Sequence, residues 1–377
     1  MRATMHAWIA AALADLPRRD LWLLPLIALL TICVPVGGAE LASRLIWPQQ
    51  LTNACRLTDT QVGVRYRPNC AATMKTSEGP WYVSAYNDCG YRSDASCGPL
   101  PAGHRRIALL GSSLTEGYLV PYRQSIAASI ETDLTKTCGE PVEVQNLGAL
   151  AGFGEQLLPR MDEALRLHPS AVVLIVAPFD LQEDLAPAVG HARPTPSLPE
   201  RAFQALKDSR ALEMTQHYLY RDPSIYLPLY LQYGDRADFL RPPFTEKWRE
   251  RLDILNKITA ALSARARQAG VPFVVAFIPQ EAEVAMMAPG RTAPPGVDPT
   301  ALPDAIATLA ADHGASFIDT SRVLRHDPAP EHFYYTVDGH LTGAGQPAVG
   351  SYIAGRLTNG AFADCGMAAI HQMRALR

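Results

Sequence analysis

A serine that follows a short apolar run is the first residue of this sequence suited to catalysis. Ser113 lies in the segment GSSLTEG at 111–117, directly after the apolar residues 107–110. A hydroxyl at a strand-to-helix turn projects from the edge of a sheet, and backbone N–H groups of the turn can stabilise negative charge beside it. Serine at a helix start more often serves only as an N-cap. A catalytic role for Ser113 therefore needs a second group.

An aspartate and a histidine near the C-terminus supply that group. Asp338 and His340 stand in the segment VDGHLT at 337–342, ahead of a predicted helix. A serine hydroxyl becomes a good nucleophile when a base takes its proton, and an imidazole serves best when a carboxylate holds its tautomer. We therefore predict Ser113 as nucleophile, His340 as base and Asp338 as the residue that orients His340, with His332 as the competing histidine.

Other chemistries find little support in the sequence. The histidines are dispersed and lack metal-ligand spacing to a cysteine or carboxylate. The segment 111–117 lacks the lysine of a phosphate-binding loop, and the helix dipole is sufficient to explain Glu116 in a first helical turn. With 34 Lys and Arg against 37 Asp and Glu, the net charge of −3 provides no basic field for nucleic acid. We expect no metal, no cofactor and no nucleic-acid partner.

Alternating strands and helices are predicted to position these side chains. Five short apolar runs, at 107–111, 142–146, 171–176, 273–278 and 316–318, are typical of buried parallel strands. Helices are predicted between them at 125–137, 155–167, 245–268, 303–312 and 343–357, the third carrying Trp248 in an apolar stripe that faces the core. This order predicts an α/β fold, a three-layer α/β/α sandwich with a mainly parallel sheet, in which active residues collect at the carboxyl ends of the strands.

The interval 182–244 interrupts the alternation of strands and helices, because it has no clear strand and many prolines and tyrosines. We predict an insertion near the mouth of the site. Its tyrosines at 218, 220, 226, 230 and 233 have two interpretations: a lid that stacks on a sugar or holds an acyl chain, or a cap that packs its own small core.

The N-terminal region contains nineteen consecutive uncharged residues, Leu21 to Ala39. A helix of that length covers about 28 Å, roughly one bilayer core. Arg2, Arg18 and Arg19 precede the run, which predicts a cytoplasmic N-terminus and an extracytoplasmic remainder. We predict a single-pass membrane anchor; a signal peptide cleaved after 37–39 is the alternative. The predicted domains are a cytoplasmic segment at 1–20, a transmembrane helix at 21–39, an irregular juxtamembrane segment at 40–100, a catalytic domain at 101–365 and a tail at 366–377.

Six cysteines follow the apolar run, an even number on the side of a membrane where disulfides persist. Six cysteines allow fifteen pairings. Proximity along the chain favours Cys55 with Cys70 and Cys89 with Cys97, which leaves Cys138 to pair with Cys365.

From about 87 to 357 the sequence resembles the SGNH (GDSL-type) hydrolase superfamily. The segment 111–117 is similar to the family's nucleophile block, and NLG at 146–148 followed by GFG at 152–154 resembles the second block. VVLIV at 172–176, followed by FDL at 179–181, resembles the third block, and DGH at 338–340 resembles the terminal block. A stretch ahead of the nucleophile in membrane-anchored members is similar to the segment here that contains Asn87, Gly90, Tyr91 and Arg92. The resemblance implies the flavodoxin-like SGNH fold and an oxyanion hole formed by the N–H groups of Ser113 and Gly152.

Three positions depart from the family pattern. Ser112 replaces the family's aspartate before the nucleophile, and the Asp–His spacing is one residue shorter than the commoner form. Phe179 stands where the family has an asparagine whose amide completes the oxyanion hole. Loss of one such donor costs about 10²–10³ in kcat, so the resemblance implies a weakened activity.

Taken together, the residues and the resemblance predict a membrane-anchored, extracytoplasmic serine O-acyl esterase that acts on an acylated glycan or a small ester. An O-acyltransferase that uses the same serine is one alternative, because the acyl-enzyme can collapse onto a sugar hydroxyl instead of water. A catalytically degenerate glycan-binding or scaffolding protein is the other, motivated by Phe179.

Overall fold

The computed structural model describes residues 17, 19–185 and 208–365. Most of the predicted cytoplasmic N-terminus, the middle of the predicted insertion and the predicted tail at 366–377 lie outside the described residues. The chain divides into two compact units, one formed by Met1–Pro48 with Pro194–Thr215 and the other by Gln49–Arg193 with Gln216–Arg377.

The first unit contains one long apolar helix, α1, at Asp20–Ile46. Its stretch Trp22–Ile46 has a mean hydropathy of 2.0 and is long and apolar enough to serve as a membrane anchor or as a signal sequence. The helix extends beyond the predicted segment 21–39 because Glu40 and Arg44, four residues apart, form an ion pair at 2.7 Å on its surface. Glu40 also accepts the backbone N–H groups of Arg210 and Ala211.

Two β-hairpins open the second unit. The strands β1 at Arg56–Asp59 and β2 at Gly63–Tyr66 pair antiparallel, as do β3 at Ala71–Met74 and β4 at Tyr82–Ala85. The sequence predicted an irregular segment at 40–100; in the structure, residues 49–100 include these four strands and belong to the same compact unit as the central sheet. Strands of only four residues leave too short a signal in the sequence.

A five-stranded sheet forms the centre of the second unit. Its strands are β5 at Arg105–Leu110, β6 at Val142–Asn146, β7 at Ala171–Val176, β8 at Phe273–Phe277 and β9 at Ser316–Asp319. They lie in the order β6-β5-β7-β8-β9, and every neighbouring pair is parallel. This is the flavodoxin-like order, which confirms the predicted α/β fold class.

Helices cover both faces of this sheet. The helices that follow α1 along the described residues are α2 at Ser113–Glu116, α3 at Ile126–Cys138, α4 at Leu157–Arg166, α5 at Arg210–Tyr220, α6 at Pro223–Tyr230, α7 at Glu246–Gln268, α8 at Glu281–Met287, α9 at Ala301–Asp312, α10 at Ser321–Leu324 and α11 at Gly345–Leu357. The five strands and five helices predicted from the sequence are present, with bounds within two residues.

Alternate side chains of β5 belong to two separate cores. Ala108 and Leu110 pack in one core with α4, α7 and α9, whereas Ile107 and Leu109 pack in the other with α3 and α11. This alternation follows from the two-residue period of a strand. Trp248 is fully buried in the first core, as predicted from its helical spacing.

In the predicted insertion at 182–244, a π-helical turn at Asp180–Asp184 precedes the gap in the described residues, and α5 and α6 follow it. Tyr226 and Tyr230 of α6 are buried in the first core. These two tyrosines therefore pack in the main core of the second unit and not in a small core of the insertion's own.

The structure pairs the six cysteines as predicted: Cys55 with Cys70, Cys89 with Cys97 and Cys138 with Cys365. The third bridge joins residues 227 positions apart and connects the end of α3 to the segment after α11.

Replacing both Cys138 and Cys365 by serine is expected to lower the free energy of unfolding by about 2–5 kcal/mol, because the bridge restricts a long loop in the unfolded chain. Chemical denaturation of the oxidised protein in detergent, followed by circular dichroism, measures this loss. The matched control is the Cys89–Cys97 pair, whose sequence separation is only 8 and whose removal should cost less. Equal losses for the two pairs would contradict the loop argument.

Candidate active site

Ser113 is presented by a tight turn at the carboxyl end of β5. Gly111 in this turn has φ +146, and a Cβ there would lie 2.1 Å from the Thr115 hydroxyl oxygen and 2.8 Å from the Ile175 carbonyl oxygen. Only glycine fits such a close approach. The chain then enters α2, whose first residue is Ser113, itself only 3% exposed. The predicted strand-to-helix turn is thus present, with the hydroxyl at the carboxyl edge of the sheet.

The loop before α11 brings the predicted histidine and aspartate to this serine. Ser113 Oγ lies 2.8 Å from His340 Nε2, and His340 Nδ1 lies 2.5 Å from Asp338 Oδ1. The backbone N–H of His340 also donates to Asp338 Oδ1 at 3.2 Å. A proton on Nδ1 that is held by Asp338 leaves Nε2 free to accept the serine proton, so the arrangement can generate an alkoxide nucleophile.

The electrostatics of this chain favour an ionised aspartate beside the histidine. Burial raises the pKa of Asp338, but the interactions with His340 outweigh it and hold that pKa below its ordinary value. Burial lowers the pKa of His340, whereas the Asp338 carboxylate raises it, and the net direction is upward. The Asp338 carboxylate therefore stabilises the protonated form of His340.

The oxyanion donors predicted from the sequence are only partly supported. Ser113 is the first residue of α2, so its N–H has no acceptor within the helix. The Gly152 N–H, in contrast, donates to the Ala149 carbonyl at 2.9 Å in a turn so tight that a Cβ on Gly152 would lie 2.7 Å from that oxygen. The geometry does not support Gly152 as an oxyanion donor, because its N–H is already engaged.

Two aromatic rings flank His340. The Phe179 ring centroid lies 6.2 Å from the imidazole centroid and the Tyr118 ring centroid lies 5.2 Å from it, both in edge-on geometry. Phe179 follows β7 at the carboxyl edge of the sheet, the position where the family resemblance implies an asparagine. The ring offers no hydrogen-bond donor there, and it contributes apolar surface beside His340 instead.

An aromatic cavity opens beside the histidine. It is lined by Leu114, Ala177, Phe179, Tyr220, Tyr226, Tyr230, Tyr233, Arg236, Ile278, Pro279, Gln280, Glu281, Tyr334, Thr336, Val337, Asp338, Gly339 and His340. Four of these residues are tyrosines from the predicted insertion, which therefore does contribute to the mouth of the site. The rings give the cavity a largely aromatic lining beside His340.

Glu116 has a role in the structure that the sequence did not reveal. The carboxylate is 2% exposed and accepts hydrogen bonds from the hydroxyls of Tyr66 and Tyr86, each at 2.8 Å. The two tyrosine rings stack at 4.1 Å, and burial raises the pKa of each phenol above its ordinary value, so both remain donors. The helix-dipole explanation is insufficient, because Glu116 connects α2 to the hairpin residues Tyr66 and Tyr86.

Two further residues hold the carboxyl end of α2. Arg92 donates to the carbonyl oxygens of Glu116 at 2.9 Å and Val120 at 2.5 Å, and Asn146 Nδ2 donates to the Thr115 carbonyl at 2.7 Å. Both residues belong to segments that carried the family resemblance. That resemblance was the available signal for them, although it did not show what they contact.

Among the described residues, one cluster of metal-ligating types stands out, formed by Asp88, Cys89 and Cys97. The two cysteines form a disulfide, so they offer no thiolate to a metal.

Comparisons with known proteins identify a family. Residues 109–348 match the GDSL-like lipase/acylhydrolase family, which is more than half of the chain. No curated protein matches the chain.

Several solved structures are similar to parts of the chain. A lipase/acylhydrolase from Enterococcus faecalis shows 15% identity and a TM-score of 0.39, with 68% of this chain and 96% of that chain covered. The lipase Lip_vut3 from a goat rumen metagenome shows 12% identity and a TM-score of 0.38, with 67% and 96% covered. The esterase EstA from Pseudoalteromonas sp. shows 10% identity and a TM-score of 0.34, with 68% and 97% covered.

Proposed function

Because the chain belongs to the GDSL-like lipase/acylhydrolase family and is an ester-hydrolysing serine hydrolase, we propose that Ser113, His340 and Asp338 are its catalytic residues. The observation that carries this proposal is the continuous chain of contacts from Ser113 Oγ through His340 to Asp338, at 2.8 and 2.5 Å. A structural N-cap serine has no need of an imidazole at this distance.

The first half of the reaction forms an acyl-enzyme. Ser113 Oγ attacks the ester carbonyl carbon while its proton passes to His340 Nε2, and the carbonyl oxygen gains the negative charge. The Ser113 N–H at the start of α2 is the proposed donor to this oxyanion. When the tetrahedral intermediate collapses, the bond to the alcohol oxygen breaks and His340 returns the proton to that oxygen.

The second half releases the acyl group. A water molecule loses its proton to His340 and attacks the acyl carbon, and the proton then returns to Ser113 Oγ as the ester bond to the enzyme breaks. A sugar hydroxyl in place of that water would give O-acyl transfer by the same steps. We propose hydrolysis of an acylated glycan or a small ester, with the acyl group in the aromatic cavity.

We also propose that α1 anchors the enzyme in a membrane, with the N-terminus cytoplasmic and the catalytic unit outside. The apolar length of α1, the arginines ahead of it and three disulfides support this topology. Mass measurement of the protein purified from membranes tests the anchor: the full-length mass supports it, whereas loss of the first 39 or so residues would show a cleaved signal peptide.

Labelling with a fluorophosphonate probe tests the catalytic proposal directly. The wild type is expected to form one covalent adduct at Ser113, and Ser113→Ala is expected to form none. Absence of labelling in the folded wild type would contradict the proposed function and favour a catalytically degenerate protein that only binds its ligand.

Replacing Phe179 by asparagine is expected to raise kcat for a small soluble ester by about 10²-fold or more, because the new amide supplies an oxyanion donor where the ring supplies none. Initial rates with p-nitrophenyl acetate measure this gain. Phe179→Leu is the matched control, since it removes the ring without adding a donor. An unchanged or lower kcat in the asparagine variant would show that the oxyanion is already fully stabilised by other groups.

A further inference from the structure

A buried carboxylate from outside the family domain reaches the loop that carries Asp338. Glu78 lies between β3 and β4, well before the family match begins at residue 109. Its side chain has no solvent exposure. The proposed reaction steps do not use it, so its burial requires a separate explanation.

The carboxylate of Glu78 is surrounded by three donors. Its Oε2 accepts the backbone N–H of Val337 at 3.0 Å and that of Asp338 at 2.9 Å. Its Oε1 lies 2.7 Å from His217 Nδ1 in α5 and also accepts the Val337 N–H at 3.2 Å. Burial raises the pKa of Glu78 above its ordinary value, although these hydrogen bonds act against the rise. The buried carboxyl oxygens therefore have hydrogen-bond partners in the groups that they hold.

These contacts replace regular secondary structure in the loop. The Tyr335 N–H donates to the His340 carbonyl and the Gly339 N–H donates to the Tyr335 carbonyl, so both pair within the loop. The N–H groups of Val337 and Asp338 pair with Glu78 instead. Because buried backbone donors need acceptors, the loop conformation depends on this one side chain.

Given the catalytic roles proposed above, we propose that Glu78 is a positioning residue for the reaction: its carboxylate holds the Val337–Asp338 backbone so that the Asp338 side chain meets His340 Nδ1. Loss of this acceptor would release the loop and move Asp338 relative to the imidazole. A misplacement of about 1 Å in a catalytic group can lower a rate about 10²-fold.

Substitutions at position 78 separate an acceptor role from a general effect on stability. Glu78→Ala removes the acceptor for both N–H groups. Glu78→Gln keeps one oxygen for them, and its amide can donate to His217, whose Nδ1 then accepts in the other tautomer. The positioning role therefore predicts that glutamine restores most of the activity that alanine loses.

The experiment measures kcat, KM and the rate of fluorophosphonate labelling for the full-length variants, with circular dichroism to check folding. We expect Glu78→Ala to lower kcat and the labelling rate about 10- to 100-fold with KM nearly unchanged, and Glu78→Gln to stay within about threefold of the wild type. Glu131→Ala is the matched control, because Glu131 of α3 is a partly buried carboxylate that accepts the backbone N–H of Val144 at 3.1 Å instead of one from the loop that carries Asp338. It should keep kcat.

Wild-type kcat in folded Glu78→Ala would overturn the inference, as would an equal loss in the Glu131 control. If Glu78→Ala does not fold, Glu78→Asp carries the test: it keeps the charge but withdraws the acceptor by one methylene, and its kcat should fall with KM retained. Failure of the wild type to label would overturn the proposed function itself. A wild type that labels, together with Glu78 variants that keep the wild-type kcat, would overturn only the positioning role.

Discussion

Replacing His340 by alanine is expected to lower kcat for a soluble ester about 10⁴–10⁶-fold, as much as replacing Ser113 by alanine. The proposed nucleophile and base are expected to act as one unit, since Ser113 Oγ lies 2.8 Å from His340 Nε2. The double variant should therefore lose no more than either single variant. Steady-state kinetics with p-nitrophenyl acetate, corrected for the uncatalysed rate, measure all three.

His332→Ala is the matched control for this prediction. His332 lies close to His340 in the sequence, but its Nδ1 lies 2.7 Å from the Ala329 carbonyl oxygen and its side chain is half exposed. We expect this variant to retain the wild-type kcat. Two results would show that another group takes the serine proton. One is a loss of kcat in the double variant equal to the product of the losses in the two single variants. The other is a loss below about tenfold in His340→Ala.

Asp338→Asn is expected to lower kcat about 10⁴-fold without unfolding the protein. An amide at this position can donate to His340 Nδ1, which places the ring proton on Nε2, and that tautomer cannot accept the proton of Ser113. Asp319→Asn is the matched control, because Asp319, the last residue of β9, accepts the N–H of Ser321 and forms an ion pair with Arg322 at 3.6 Å instead of contacting a histidine. It should leave kcat unchanged.

The same substitution has a defined effect on the pH profile. In the wild type, burial lowers the pKa of His340, but the Asp338 carboxylate raises it by more than burial lowers it, so the net shift is upward. The acid limb of the kcat/KM profile, where activity rises as His340 loses its proton, should therefore lie above the ordinary histidine pKa. Without that charge, burial dominates and the limb should move to lower pH. Profiles between about pH 5 and 9 measure the shift. A limb that stays in place or moves upward would contradict the assignment of Asp338 as the partner of His340.

The sequence alone was sufficient for the sheet and for bringing Ser113, His340 and Asp338 together as the candidate site. Runs such as 171–176 are apolar on both faces, and a parallel strand covered on both sides buries such a run. Gly111 and Ser113 follow such a run, so their place at the carboxyl edge follows from local order. The cysteine pairs at short separation were predictable for a similar reason, because neighbours along the chain are neighbours in space.

The hairpins at 56–85 were not predictable in the same way. Their strands have four residues each, and a period of two is hard to recognise over so short a stretch. Their antiparallel pairing also depends on the tertiary core around Tyr66, Tyr82 and Tyr86. A disulfide between Cys55 and Cys70 was expected, but the sheet that it closes was not.

What the sequence determined by itself is the local chemistry: a serine after a strand, a histidine two residues from an aspartate, and an apolar helix ahead of both. What only the tertiary structure decided is which distant groups hold them. Glu78 and Glu116 are both buried carboxylates whose donors come from other parts of the chain. The Gly152 N–H is engaged by a turn that its sequence does not reveal. Hydrogen bonds between residues far apart in the sequence depend on tertiary packing, and they cannot be predicted from the hydrophobic periodicity of the sequence.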